Sequence, residues 1–303
     1  MPRVPPVISV TWDIGKAYYN ACVRIVILGA GEIGAAAARQ LAAAGVARRV
    51  VLVDPAASVA AGKALDIAQA APVDRYETAV SGTDDESVVA GASLVLIADR
   101  HGAPPVEWTG DQGLDTLRRV SRWCGEAPLV CAGSQQGALI ERGVRELGLD
   151  RQRLFGTAPE ALRGGLISLV ALEANLSPAE IAVTIVGRAP AEIIVPWEAA
   201  SLGGRRALDV LSPPAITRLE QRLARLWPPA SLTLGAAAAA VARTMLVRAP
   251  RVHVAQVALT REEGPSRGSA ILPVRVDASG IRRVEPPSLS SRDRVRLDTV
   301  LAR

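Results

Sequence analysis

The segment Gly29-Ala30-Gly31-Glu32-Ile33-Gly34 puts three glycines at the spacing G-x-G-x-x-G. Glycines in this pattern do separate jobs. Gly29 permits a tight turn, Gly31 lets the main chain approach a phosphate, and Gly34 allows a helix to pack closely on the preceding strand. The free N–H groups of a helix starting here would face an anion with the positive end of the helix dipole. An acidic residue, Asp54, follows Gly34 after twenty residues, at the end of a second apolar run. That spacing suits a carboxylate that accepts hydrogen bonds from ribose hydroxyls. Such a carboxylate would repel a 2′-phosphate, so NAD is expected rather than NADP. The expected contact set is Gly29, Gly31, Glu32, Ile33, Gly34, Asp54 and, after the fourth strand, Ala98.

These residues need a framework. Val23–Leu28 reads as a buried strand, Gly31–Gly45 as a helix and Arg49–Asp54 as a second strand. Helices are expected over Ser58–Ala71, Asp111–Cys124 and Gly137–Leu147. Strands are expected over Glu77–Thr83, Ser93–Asp99, Pro128–Ser134 and Arg153–Gly156. Alternation of this kind implies parallel strands with helices on both faces, a doubly wound Rossmann sheet of the α/β class. Beyond residue 157 the rhythm changes. Helices are expected over Ala158–Glu173, Pro214–Trp227, Gly235–Leu246 and Ser291–Arg303. Ile181–Gly187 and Ile193–Pro196 read as hairpin arms. Val252–Thr260, Ala270–Asp277 and Ile281–Glu285 read as an antiparallel set, with a turn at Asp277–Gly280. The expected organisation is an N-terminal extension over 1–22, a dinucleotide-binding domain over 23–157, and a mixed α+β domain over 158–303 with its own core. The extension holds Pro2, Pro5, Pro6, Trp12 and the Tyr18–Tyr19 pair, outside any periodic pattern. A tail, an arm on a neighbouring subunit and translated upstream sequence all fit it.

Bulk properties limit the partners. The net charge is +5, carried almost wholly by arginines dispersed among acids, with lysine only at Lys16 and Lys63. No basic cluster marks a nucleic-acid surface. No apolar run reaches the length of a bilayer span, and no secretory signal opens the chain. Cys22, Cys124 and Cys131 lack metal-ligand spacing, so no metal is expected and reduced thiols in a cytoplasmic protein are.

From Val23 onward the chain resembles the lactate/malate dehydrogenase family. The carriers are Gly29–Gly34, Val50-Val51-Leu52-Val53-Asp54, Gly62-Lys63-Ala64-Leu65-Asp66 and Gly82-Thr83-Asp84. Further on come Val195-Pro196, Ser201-Leu202-Gly203-Gly204, the Ala-rich helix at 235–246, Arg251-Val252, Leu272-Pro273-Val274, Gly280-Ile281 and Leu289-Ser290. The resemblance implies NAD-dependent hydride transfer to or from a 2-hydroxy acid, and a homodimer or homotetramer. It also implies a histidine that moves the alcohol proton, an aspartate that orients it, an arginine clamping the substrate carboxylate, arginines on a mobile loop, and an Asn-Pro pair.

None of these groups stands where the resemblance puts it. Counting back from Val195-Pro196 gives Pro190 at the histidine. Leu162 occupies the aspartate position and Gly165 the arginine position. Ser134-Gln135 replaces Asn-Pro, and no arginine lies between His101 and Leu117. A buried carboxylate deprived of its histidine would be costly, and leucine removes that cost. Candidate replacements are His101, Arg163, Arg188 and Glu192. Trp108 could cap an apolar ligand or pack on the body of the protein. The expectation is a family member that binds NAD without the catalytic set, acting through an unknown small molecule or protein partner. An oxidoreductase for a less anionic substrate and a fold whose cofactor cleft is closed are the alternatives.

Overall fold

The Val- and Ile-rich runs form strands and the Ala-rich runs form helices, because each buries the face its periodicity makes apolar. The computed structural model describes residues 23–102, 106–247, 249–260 and 268–302. The expectations for 1–22 lie outside these residues. Through the first half run β1 (Arg24–Leu28), α1 (Glu32–Ala44), β2 (Arg49–Val53), α2 (Ala57–Asp74), β3 (Ala79–Thr83) and β4 (Leu94–Ile97). A two-stranded hairpin follows, β5 (Asp99–Arg100) with β6 (Val106–Glu107). Then come α3 (Gly110–Ser121), β7 (Leu129–Cys131), α4 (Gly137–Leu147) and β8 (Leu154–Gly156). Strands β3, β2, β1, β4, β7 and β8 are neighbours in that order and pair in parallel.

Along β1, Ile25 and Ile27 enter one core cluster while Val26 and Leu28 enter another. Both faces of the sheet are therefore covered, as a doubly wound sheet requires.

The second half contains α5 (Ala158–Ala174), β9 (Ile181–Ala182), β10 (Val186–Arg188), β11 (Glu192–Ile194), β12 (Ser201–Leu202) and β13 (Arg205–Arg206). It continues with α6 (Ala207–Val210), α7 (Pro213–Ala224), α8 (Ser231–Leu246), β14 (Arg251–Ala258), β15 (Ser269–Asp277), β16 (Gly280–Val284) and α9 (Ser291–Ala302). Two expectations change here. Ile181–Gly187 is not one hairpin arm: β9 pairs with β12 in a small separate sheet, and only β10 pairs with β11. Between them Val183 and Ile185 stay buried as the chain passes from one sheet to the other. Nor is the core of the second half wholly its own. β14 pairs with β8, so one sheet runs through both halves. α8 also lies against α1, and the side chains of Leu234, Ala238 and Val241 share a cluster with Ile25 and Leu41. Small residues allow this approach: a Cβ on Gly235 would run into Ala36 and Ala37.

A buried polar clasp joins α5, α8 and β14. The Glu160 carboxylate accepts hydrogen bonds from Val254 N at 2.9 Å and from Arg163 Nε at 3.0 Å, and lies 3.1 Å from His253 Nδ1. His253 Nε2 is 2.9 Å from Thr244 Oγ1. Burial by itself raises the Glu160 pKa, but the hydrogen bonds and charges of His253 and Arg163 outweigh it and bring the carboxyl down to about 2. A folded-state value below the unfolded one contributes stability above the unfolded value and loses it as pH falls towards the folded value. Acidification from about pH 5 to pH 2 is therefore expected to remove on the order of 3 kcal/mol. In urea unfolding, Glu160→Gln should lose about that much at pH 7 and show a flatter acid limb than the wild type. An unchanged acid limb would assign the acid sensitivity to other groups.

Candidate functional site

The G-x-G-x-x-G turn forms as the sequence predicts. Gly29 has φ +107°, a conformation glycine adopts without strain, and its N–H donates to Val53 O at 2.6 Å. A Cβ on Gly34 would run into Gly29 O, so helix α1 starts directly against the turn. Ala98 is fully buried beside Gly34, and its N–H donates to Leu28 O at 2.8 Å. The structure thus gathers Gly29, Gly31, Glu32, Ile33, Gly34 and Ala98 at one place, at the carboxyl ends of β1 and β4.

The space in front of this helix start is filled by a side chain the sequence analysis did not single out. The Asp99 carboxylate accepts Glu32 N at 2.9 Å, and Ile33 N and Gly34 N at 3.0 Å each. Its main-chain oxygen accepts Gly31 N at 2.8 Å. Asp99 is fully buried. Gly31 has φ −72°, which any residue adopts, so only space forbids a side chain there. A Cβ on Gly31 would collide with the Asp99 carboxylate and with nothing nearer. The gap that glycine leaves for a phosphate is therefore held by an internal anion. In this arrangement the first free amides of α1 are taken by Asp99.

Asp54, expected to face ribose hydroxyls, is also engaged from within. Its carboxylate accepts Ala30 N at 2.9 Å, Ala56 N at 3.0 Å and His101 N at 2.9 Å, and the residue is 2% exposed. His101 meets the site through its main chain, and the residue is exposed. Lys63, from the Gly62–Asp66 motif on α2, reaches Gly31 O and Glu32 Oε1 at 3.2 Å each. It is a positive group at the turn that only the motif hinted at.

The β5–β6 hairpin holds a second carboxylate in a similar way. Glu107 lies opposite Asp99 in the ladder. It accepts Ser134 N at 2.9 Å, Ser134 Oγ at 3.0 Å and Gln135 N at 2.7 Å. A Cβ on Gly133 would collide with it. Trp108 packs on the body of the protein: it is 6% exposed, its Nε1 donates to Leu28 O at 3.3 Å, and the Arg100 guanidinium lies 4.8 Å from its ring centre.

The positions at which the resemblance expects catalytic groups are only partly brought together. Ser134 and Pro190 line one cavity of about 330 Å³, together with Gln135, Arg188, Trp227 and Gln256. Among the described residues lining it there is no histidine and no carboxylate. Leu162 does not line it; it sits in an apolar cluster with Leu166, Ile185 and Trp197, against which the lining residues Ala189 and Trp227 pack. Gly165 faces Leu226, which a Cβ there would touch. Arg163 is turned to Glu160, and Glu192 sits opposite Arg188 across the β10–β11 hairpin. Cys124 and Cys131 are buried, which raises both thiol pKa values. Among the described residues no three His, Cys, Asp or Glu side chains converge as metal ligands would, and no helix is long and apolar enough to cross a membrane.

Known proteins bear on this geometry. Residues 23–105 match the family model for the lactate/malate dehydrogenase NAD-binding domain. The chain is 29% identical to a malate dehydrogenase of Thioalkalivibrio sulfidiphilus over 207 residues, 66% of this chain and 67% of that one. It is 24% identical to a malate dehydrogenase of Sulfurimonas denitrificans over 299 residues, 91% of this chain and 92% of that one. Its fold is similar to that of the malate dehydrogenase from Salinibacter ruber, with a TM-score of 0.80 at 21% identity, over 92% and 94% of the two chains.

The contact between Gly31 and Asp99 can be measured by a double-mutant cycle. Gly31→Ala should destabilise the wild type by about 1–3 kcal/mol through overpacking, and far less in an Asp99→Ala background. Denaturant unfolding of the four proteins gives the coupling. Additivity within about 0.5 kcal/mol would mean that the carboxylate does not occupy the glycine's space.

Proposed function

We propose, for a chain that belongs to the lactate/malate dehydrogenase family, that it is a member whose family site no longer performs 2-hydroxy-acid oxidoreduction. Residues 23–105 match the family's NAD-binding-domain model, and NAD is its cofactor. The role proposed for it is that of a dinucleotide-responsive binding protein or partner subunit, cytoplasmic and assembled as a homodimer or homotetramer.

The observation that carries this reading is the cavity around Pro190. The reaction needs a group that takes and returns the alcohol proton. Proline has no titratable atom, and the described lining supplies no histidine or carboxylate in its stead. The buried His253 is committed to Glu160 and Thr244, away from that lining. The position assigned to the substrate-clamping arginine holds Gly165, which has no side chain to bind a carboxylate and lies beside Leu226. Positioned acid–base catalysis contributes typically 10²–10⁴-fold, and a bidentate arginine–carboxylate contact a few kcal/mol, so losing both removes ordinary turnover.

A second reading, an oxidoreductase for a neutral carbonyl compound, draws support from the uncharged polar groups of Ser134, Gln135, Gln256 and Ser269 in the same cavity. The two readings separate in NADH assays with malate, lactate, oxaloacetate and pyruvate, and then with neutral aldehydes and ketones. Wild type and Asp99→Ala should both be assayed, so that a filled pyrophosphate seat is not mistaken for lost chemistry. Rates at the level of the protein-free blank are expected throughout. Turnover of a 2-hydroxy or 2-oxo acid would refute the proposal, and turnover of neutral carbonyls alone would establish the second reading. Light scattering at micromolar protein tests the assembly, with twice or four times the monomer mass expected.

A further inference from the structure

We infer that Asp99 is a built-in competitor of the NAD pyrophosphate: its carboxylate holds the phosphate seat of the G-x-G-x-x-G turn, and the dinucleotide binds only when that side chain is displaced. The inference rests on the reading that this turn is a dinucleotide site, and it concerns what controls entry.

Three features of the seat support it. First, the donors are the same ones a phosphate would use. The opening N–H groups of α1, on Glu32, Ile33 and Gly34, all donate to the Asp99 carboxylate at 2.9–3.0 Å. A helix start offers a limited set of free amides, and one set cannot serve two anions. Second, the volume is the same. The room left by the missing side chain of Gly31 is taken by the Asp99 carboxylate. Third, charge forbids coexistence. A pyrophosphate beside a buried carboxylate would place like charges in contact away from water. Lys63 is bonded to Gly31 O and Glu32 rather than to the Asp99 carboxylate.

An internal anion competes by population. If the seat is free for only a fraction of the time, the apparent dissociation constant rises by the inverse of that fraction. A side chain fixed to the adjacent strand has the advantage of an intramolecular ligand, which holds it in place ahead of a ligand that must diffuse in. The chemistry requires no covalent step. The carboxylate leaves the amides for solvent, and phosphate oxygens replace it.

Two variants test this. Asp99→Ala empties the seat, and Asp99→Asn keeps its shape while removing the charge, so the second carries the test if the first fails to fold. NADH is titrated into each by fluorescence or calorimetry, and inorganic pyrophosphate is used in thermal unfolding as a probe with no nucleoside. NADH is expected to bind both variants at least tenfold more tightly than the wild type. Pyrophosphate is expected to raise the melting temperature of Asp99→Ala and leave that of the wild type unchanged. Equal NADH affinity in all three proteins would overturn the competition. If pyrophosphate stabilises Asp99→Ala while no protein binds NADH, the competition for the seat stands and the dinucleotide reading falls. If neither probe binds Asp99→Ala, both are overturned.

Discussion

Everything near the turn is arranged around one interaction, a carboxylate set against the first amides of a helix. The start of α1 leaves its opening N–H groups without helical partners, and the helix dipole gives that end a partial positive charge. Burying such a start without an anion or water would leave several donors unsatisfied, each at a cost of about 1–3 kcal/mol. Asp99 supplies the anion from the end of the neighbouring strand. Gly29 and Gly31 are small for the benefit of Asp99 as much as of any ligand: a side chain on Gly29 would strike its backbone and one on Gly31 its carboxylate. The glycine pattern fixes the concavity, and the charge at residue 99 decides what fills it.

The same solution recurs along the hairpin that Asp99 begins. Glu107 satisfies the amides of Ser134 and Gln135 above the fifth parallel strand, in the space left by Gly133. Asp54, at the end of β2, gathers the amides of Ala30, Ala56 and His101. Three carboxylates thus pair with main-chain donors along one side of the cleft. Trp108 seals the hairpin by bonding Leu28 O and stacking under Arg100. Main-chain amides of the cleft are here supplied with partners from the chain itself. That keeps buried donors paired when no ligand is present.

How much of this the sequence reveals depends on the kind of signal involved. The strand–turn–helix unit around Gly29–Gly34 was legible because apolar periodicity, glycine spacing and the distant Asp54 point the same way. The helix Gly137–Leu147 was legible to the residue, for it is amphipathic and ends at Gly148 in the left-handed conformation. Asp99 was not, since Ser93–Asp99 read as one continuous strand, whereas β4 ends at Ile97 and a new two-residue strand begins at Asp99. A lone acidic residue after an apolar run is an ordinary strand end. Only the fold shows that it points back at a helix start distant in sequence. The shared core was hidden for a similar reason: the Ala-rich stretch predicts a buried helix, but not that α8 packs on α1 of the first half. The split of Ile181–Gly187 between two sheets also escaped, because alternation of apolar residues continues across the break.

The two sites that the family resemblance sets side by side follow different physical logic. At the turn, the glycines leave a concavity before the helix start, and the Asp99 carboxylate takes its amides. Around Pro190, Leu162 and Gly165 the side chains are apolar or absent: Leu162 lies in an apolar cluster and Leu226 lies beside Gly165. A carboxylate stands where buried donors need an anion, and Leu162 sits where only apolar neighbours surround it, which is the arrangement that low-dielectric surroundings favour in both cases. The turn stays ready to exchange one anion for another, because its donors are fixed main-chain groups that any oxyanion can use. The cavity has no such reserve. On the reading proposed above, moving a proton there would need a titratable histidine or carboxylate, which the described lining of the cavity does not hold.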